Sequence, residues 1–361
     1  MRLSSKTPLS GHGAVSNPDS RFLRQTRSAD ECSGNHPSEE APLTAAKLNV
    51  TYEQAKSIIS YNQSPDIPFD RSVNAYRGCQ HGCSYCYARP THEYLGLSAG
   101  LDFETKIVVK ENAAELLRHE MSRPNYRPAP IALGANTDPY QPLEQQQQIT
   151  RQILGVLAEL NHPVMITTKG SLITRDMDLL ASMAAKNLVS VMISIGTLDP
   201  EIARRMEPKA AAPHRRLAII RQLSEVGIPV GVIVAPIIPA LTDKDIEMIL
   251  QLAKASGASM ASYVFLRLPL TVKDLFVEWL ESNYPDRAKH VMSLVRQSRG
   301  GRDNVSEFGE RMEGQGVFAD LIKQRFSKAH GRLGYQESVS LDTGLFSPPK
   351  PVKRQMDMFD E

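Results

Sequence analysis

Residues 188–239 read LVSVMISIGTLDPEIARRMEPKAAAPHRRLAIIRQLSEVGIPVGVIVAPIIP. Two near-continuous apolar runs, 188–197 and 229–239, flank an amphipathic stretch, 214–227, that closes on Gly227. Such runs fit strands covered on both faces, and a helix between two of them makes a right-handed crossover in a parallel sheet. Gly227 supplies the left-handed C-cap that ends the helix.

The alternation extends in both directions. Upstream, 72–78 reads as a short strand running into a cysteine-rich loop, 111–123 as helix, 130–135 as strand, 143–160 as helix, 163–170 as strand and 175–187 as helix. Downstream, 243–257 reads as helix, 260–269 as strand and 272–283 as helix. Six strand–helix units fall short of the eight in a closed barrel. The expected fold is α/β, a partial (β/α)6 open TIM-like barrel. Residues 1–65, rich in Ser, Pro, Gly, Asn and charge, read as a mostly disordered leader. Residues 66–285 make the barrel, 286–335 a helical C-terminal extension, and 336–361 an extended tail.

The 361 residues are 41% hydrophobic and 23% charged, with a formal charge of +2, so no global basic field demands a polyanion. No apolar run reaches the ~18 residues of a membrane span, and the N-terminus lacks an apolar signal region. A cytoplasmic protein with no membrane partner is expected. Three of the four cysteines stand at 79, 83 and 86 in CQHGCSYC. That grouping is a metal-binding pattern rather than a disulfide framework. One reading is structural zinc with His81 or His92 as fourth ligand, although no second knuckle exists. The other is a [4Fe–4S] cluster held by three thiolates, with one iron left open.

In α/β barrels the chemistry sits at the C-terminal ends of strands. Those ends here are GANTDPYQPLE, TTKG, SIGTLDPE, APIIPALTD and FLRLP, which contain Asn136, Thr137, Asp138, Lys169, Ser194 and Arg267.

The CQHGCSYC loop in this strand–helix context resembles the radical S-adenosylmethionine (SAM) superfamily. GANTDPYQPLE, TTKG and the stretch 204–243 bring residues 50–335 closest to its spore photoproduct lyase-like branch, and more narrowly to a bacterial subfamily of it. The resemblance implies a [4Fe–4S] cluster on Cys79, Cys83 and Cys86, with SAM chelating the open iron. A reduced cluster would then cleave SAM to methionine and a 5′-deoxyadenosyl radical. It places Tyr85 near the adenine, Lys169 on a carboxylate and Ser194 on the ribose. The usual Gly-Gly-Glu for the SAM amino group is replaced by 134–138, GANTD, which makes Asn136, Thr137 and Asp138 its substitutes. Asp138 would pair an ammonium at ~1–3 kcal/mol.

Spore photoproduct lyase carries a further barrel cysteine that returns a hydrogen atom. Here the spare cysteine is Cys32, in the leader, which leaves Tyr140 or Tyr263 as donors. The terminal QMDMFD resembles the peptide with which DNA-repair proteins bind a sliding clamp, through Gln355, Met356, Met358 and Phe359. The expected function is radical SAM chemistry on DNA or another nucleic-acid-related substrate, with flavodoxin or ferredoxin as reductant. The alternatives are a non-catalytic, metal-stabilised module that binds the clamp, and radical chemistry on a protein or small metabolite.

Overall fold

The computed structural model of the chain describes residues 11–22 and 47–349. Among these residues ten strands run in chain order: β1 (Asn49–Glu53), β2 (Ile59–Tyr61), β3 (Arg71–Val73), β4 (Tyr76–Arg77), β5 (Lys106–Lys110), β6 (Ile131–Leu133), β7 (Val164–Thr168), β8 (Val189–Ser194), β9 (Val230–Ile237) and β10 (Met260–Phe265). The main sheet has the order β10-β9-β8-β7-β6-β3-β2. Its six strands from β3 to β10 pair in parallel, and β2 adds antiparallel to β3 at one edge. The outer strands β2 and β10 do not pair with each other, so the barrel is open as expected. A smaller sheet, β1-β5-β4, flanks it.

Helices Ala113–Met121, Ile149–Glu159, Met177–Ala184, Pro213–Glu225, Ile246–Ala255 and Val272–Asn283 follow the six parallel strands in turn. Ile166, Val191, Val232 and Val234 are fully buried, which accounts for the unbroken apolar runs that marked their strands. Pro285–Gln297 and Val317–Arg332 make the helical extension.

Three departures have physical causes. The expected strand 72–78 splits at Asn74, whose Oδ1 accepts from the Asn136 and Thr137 amides at 3.0 and 3.4 Å. Its first part joins the main sheet as β3, and its second crosses to the small sheet as β4. The expected helix 143–160 breaks at Gln148, which adopts φ 53°. There the buried Glu144 carboxylate accepts from the Thr150 amide at 3.0 Å and caps the second piece. The polar leader is also not uniform. Residues 11–22 lie on the barrel, with Ala14 and Val15 buried, and β1 and β2 pair within the two sheets. Backbone hydrogen bonding supplies there what apolar periodicity does not.

Residues 336–349 run along the N-terminal ends of the strands. Gln336 bridges Met260, the Asp342 amide donates to Asn187 O, and the Ser347 amide donates to Leu160 O. Phe346 meets His162 edge-on at 5.3 Å and Tyr126 at 5.6 Å. His162 is fully buried, 2.7 Å from Tyr126 Oη and 3.0 Å from Pro163 O, a partner on each ring nitrogen that suits the neutral imidazole.

Burial pushes His162 from its ordinary 6.5 down to about 4. The stability this neutral histidine carries is complete above pH 6.5 and is lost as pH falls toward 4, because the unfolded chain binds the proton first. Urea unfolding at pH 7, 5 and 4 should register a loss of about 3 kcal/mol from this group. The pH slope over that window should flatten in His162→Asn.

Candidate active site

The cysteine loop leaves β4 and folds as two successive turns, in which the Gly82 amide donates to Cys79 O at 3.3 Å and the Cys86 amide to Cys83 O at 3.2 Å. The Cys79 amide donates to Phe103 O at 2.9 Å, and the Ser84 amide to Met206 O at 2.9 Å. Two buried glutamines key the loop to the segment after β6. The Gln80 amide donates to Gln141 Oε1 at 2.9 Å, and Gln80 Oε1 accepts from the Leu143 amide at 2.5 Å. Gly82 sits at φ +64°, with room for no side chain, since an added Cβ would lie 2.8 Å from Glu104 Oε2.

Arg89, wholly buried, holds the loop from beneath. It donates to Cys83 O (2.9 Å), Gly82 O (3.2 Å), Ala99 O (3.1 Å) and Gly100 O (2.9 Å), and pairs with Glu104. Glu104 also accepts from the Ala14 and Gly13 amides at 2.8 and 3.2 Å, and lies 3.0 Å from His12 Nδ1. The N-terminal segment thereby packs directly on the cysteine loop. Burial works to raise the Glu104 carboxyl pKa, but Arg89 and His12 outweigh it and hold it below its ordinary value.

Cys79 and Cys83 are buried and Cys86 is half-buried. Burial pushes Cys79 up to about 12, with Asp138 and Cys86 adding to it. Cys83 is also pushed up, chiefly by burial, while Lys169 pulls the other way. Three thiols, two of them buried, whose thiolates would repel one another are a donor set that a cation would deprotonate and satisfy. Among the described residues no three His, Cys, Asp or Glu side chains converge on one point as a single ion requires. A four-iron cluster instead offers each thiolate its own iron. The zinc alternative weakens further because His81 Nδ1 faces Asp138 Oδ2 at 3.2 Å and His92 Nε2 bonds Lys106 O at 2.8 Å.

The predicted residues divide into those at the mouth and those engaged within the fold. Lys169, at the end of β7, lies 5.9 Å from the Tyr85 ring centroid. Burial opposes its charge, but Glu207 and the Cys83 thiol outweigh that and raise its pKa. Asn136 is exposed, while Thr137 is buried with its hydroxyl 3.4 Å from Tyr76 O. Ser194 donates to Ala235 O at 3.2 Å. Asp138 is already engaged: Oδ1 accepts from Thr168 Oγ1 at 2.6 Å, and Oδ2 from the Lys169 amide at 2.7 Å beside His81. Burial favours its neutral form, yet His81 and these donors hold its pKa well below the usual carboxylate range. Tyr140 is buried, and the Tyr263 ring packs on Phe326 of the C-terminal helix at 4.8 Å. Arg267 lies 5.0 Å from the centroid of Tyr87, the residue after Cys86. Cys32, Gln355, Met356, Met358 and Phe359 lie outside the described residues.

Sequence reading gave no role to Glu207 and Arg216, although both lie in the quoted 188–239 stretch. Tyr85 Oη donates to Glu207, whose other oxygen is bound by Arg216 Nη2. Arg216 also donates to Ser194 O at 2.8 Å and Ala211 O at 2.6 Å, which links β8 to the cysteine loop. The available signal was a glutamate and an arginine nine residues apart in a loop-to-helix transition. Nothing local fixes what they bind.

A three-cysteine loop at the mouth of an open β/α barrel defines a class, and the comparisons agree. Residues 73–253 match the Radical SAM superfamily, and the chain belongs to it. An uncharacterized protein of Mycobacterium tuberculosis is 39% identical over 253 residues, 69% of this chain and 74% of that protein. A radical SAM Nalpha-GlyT isomerase of Pseudomonas phage M6 is 24% identical over 247 residues, 66% of this chain and 48% of that protein. Spore photoproduct lyase, solved with a dinucleoside spore photoproduct, aligns at TM-score 0.57 with 14% identity over 79% of this chain and 80% of its own. This is therefore a radical SAM enzyme with the fold of the spore photoproduct lyase-like branch, and its cofactors are a [4Fe–4S] cluster and SAM. Enzymes of this family draw their electron from a reductant. No helix among the described residues is long and apolar enough to cross a membrane.

Asp138→Ala should strand the Thr168 hydroxyl, the Lys169 amide and His81 in a buried site, at about 1–3 kcal/mol for each buried donor left unpaired. Thermal unfolding should report the loss. Iron and sulfide bound per chain after reconstitution should fall with it, because His81 sits between two of the cysteines.

Proposed function

We propose that Cys79, Cys83 and Cys86 hold the [4Fe–4S] cluster and that the enzyme acts on DNA or another nucleic-acid-related substrate. The observation that carries the reading is the donor set itself, three thiols on one anchored loop facing polar strand ends. Lys169 would meet the cofactor carboxylate, Ser194 the ribose and Tyr85 the adenine side. Asn136 and Thr137 would meet the amino group, while Asp138 fixes His81 and the end of β7. The Glu207–Arg216 pair beneath Tyr85 keeps that ring in one orientation through its hydroxyl. When bound, cluster and SAM supply a one-electron reductive cleavage that yields a 5′-deoxyadenosyl radical for hydrogen abstraction.

Support for a nucleic-acid substrate comes from the spore photoproduct lyase fold, one structure of which holds a dinucleoside. The clamp-like motif at 355–359 points the same way, toward a sliding clamp as partner. Thiols that must stay reduced suit a cytoplasmic setting with flavodoxin or ferredoxin as electron donor. Among the described residues the cysteines are the three of the loop, and Tyr140 or Tyr263 is the candidate hydrogen-atom donor.

Anaerobic protein reconstituted with iron and sulfide, then given SAM and dithionite, should form 5′-deoxyadenosine. Cys83→Ala should lose that product entirely. A fully loaded wild-type cluster that makes none would sink the assignment.

A further inference from the structure

Most cations near the barrel mouth have acidic or carbonyl partners. Arg216 binds Glu207, Lys169 is drawn to Glu207, and Arg311 binds Asp66 at 2.7 Å through Nε. Arg267, at the end of β10, differs. Its Nη1 reaches only the Met312 thioether at 3.7 Å, its Nε is buried without a partner, and its guanidinium lies over the Tyr87 ring. Beside it stands Arg299, 1% exposed, whose Nη groups bind Glu310 O and Leu266 O at 2.7 Å each and whose Nε is likewise unpartnered. Burial and the neighbouring Arg267 push Arg299 down to about 10. Two adjacent guanidiniums with unsatisfied, desolvated N–H groups and no bound carboxylate form an unbalanced positive site. Arg267 remains partly exposed, so a ligand can reach it, and Tyr87 ties the place to the cysteine loop.

From this we infer that Arg267, backed by Arg299, is an anion-binding subsite that takes a phosphate group of the substrate. The assignment rests on the nucleic-acid reading above for the identity of the anion. Lys169, which shares Glu207 with Arg216, serves the cofactor side, and Arg267 orients the substrate beside it. A guanidinium whose face lies on an aromatic ring and whose Nη2 has no partner among the described residues suits a charge-assisted phosphate contact.

The test uses the full chain, reconstituted and with SAM present, and measures binding of a fluorescein-labelled decathymidylate by anisotropy. Binding of SAM by equilibrium dialysis and of inorganic pyrophosphate by calorimetry complete the set. Arg267→Gln should weaken oligonucleotide and pyrophosphate binding at least about tenfold, the loss of a charge-assisted contact, and leave SAM affinity within about twofold. Arg267→Lys should fall between. Arg118→Gln, on the helix Ala113–Met121 where it pairs with Glu159, should change binding less than about twofold. Iron content and thermal unfolding confirm that each variant is folded. An Arg267→Gln effect no larger than that of Arg118→Gln overturns the subsite, and so does a loss confined to SAM, which would give the anion to the cofactor. Pyrophosphate binding that depends on Arg267 without oligonucleotide binding by wild type supports the subsite and sinks the nucleic-acid reading. Binding of neither probe overturns the subsite.

Discussion

The site depends on one buried ion pair, Arg89 with Glu104. A guanidinium removed from water is tolerated only when nearly every N–H finds an acceptor. Arg89 meets that demand with four carbonyls of the cysteine loop and the 99–100 turn, plus the Glu104 carboxylate. Because the charge has no other outlet, the backbone around Cys83 cannot move without stranding it. Glu104 passes the constraint on to residues 12–14, so that a segment far away in sequence helps to fix the loop. Contact there is close enough that a side chain on Gly13 would collide with the Gly82 carbonyl oxygen, 1.7 Å from its Cβ.

Burial decides how much of this was legible in the sequence. Strands β8 and β9 announce themselves because nearly every position along them is buried whichever face it points to, so most of their residues are apolar. β1, with exposed and half-buried positions in a polar stretch, carries no such signal and reads as leader. The helix break at Gln148 was invisible because its cause, the buried Glu144 carboxylate, is held by Arg175 and Tyr76, far away in the chain. Local propensity gives way there to a tertiary hydrogen bond.

The site divides in the same way. Cysteine spacing is a local property and reads directly. Lys169 and Ser194 follow from knowing where barrel strands end. The residues that orient them do not, since Glu207 meets Tyr85 across 122 positions. Asp138 is the instructive case, because its place in the chain suggested contact with the cofactor ammonium. In the fold the carboxylate joins His81, Thr168 and the Lys169 amide, so the same residue ties two strand ends to the cysteine loop. A strand-end position locates a residue near the chemistry without saying which way its oxygens face.

Charge is unevenly distributed around the mouth. On the β7–β8 side, Lys169 and Arg216 share Glu207, and Asp138 faces His81, so the charges there are largely compensated. On the β10 side, Arg267 and Arg299 have no carboxylate bound to them. A zwitterionic ligand with an added sulfonium gains little from a positive wall, whereas a polyanion gains much, the more so where the wall is dry. The same sheet therefore presents a nearly balanced half suited to a cationic cofactor and a positive half suited to an anion. The cysteine loop, with Tyr85 toward one and Tyr87 toward the other, lies between them.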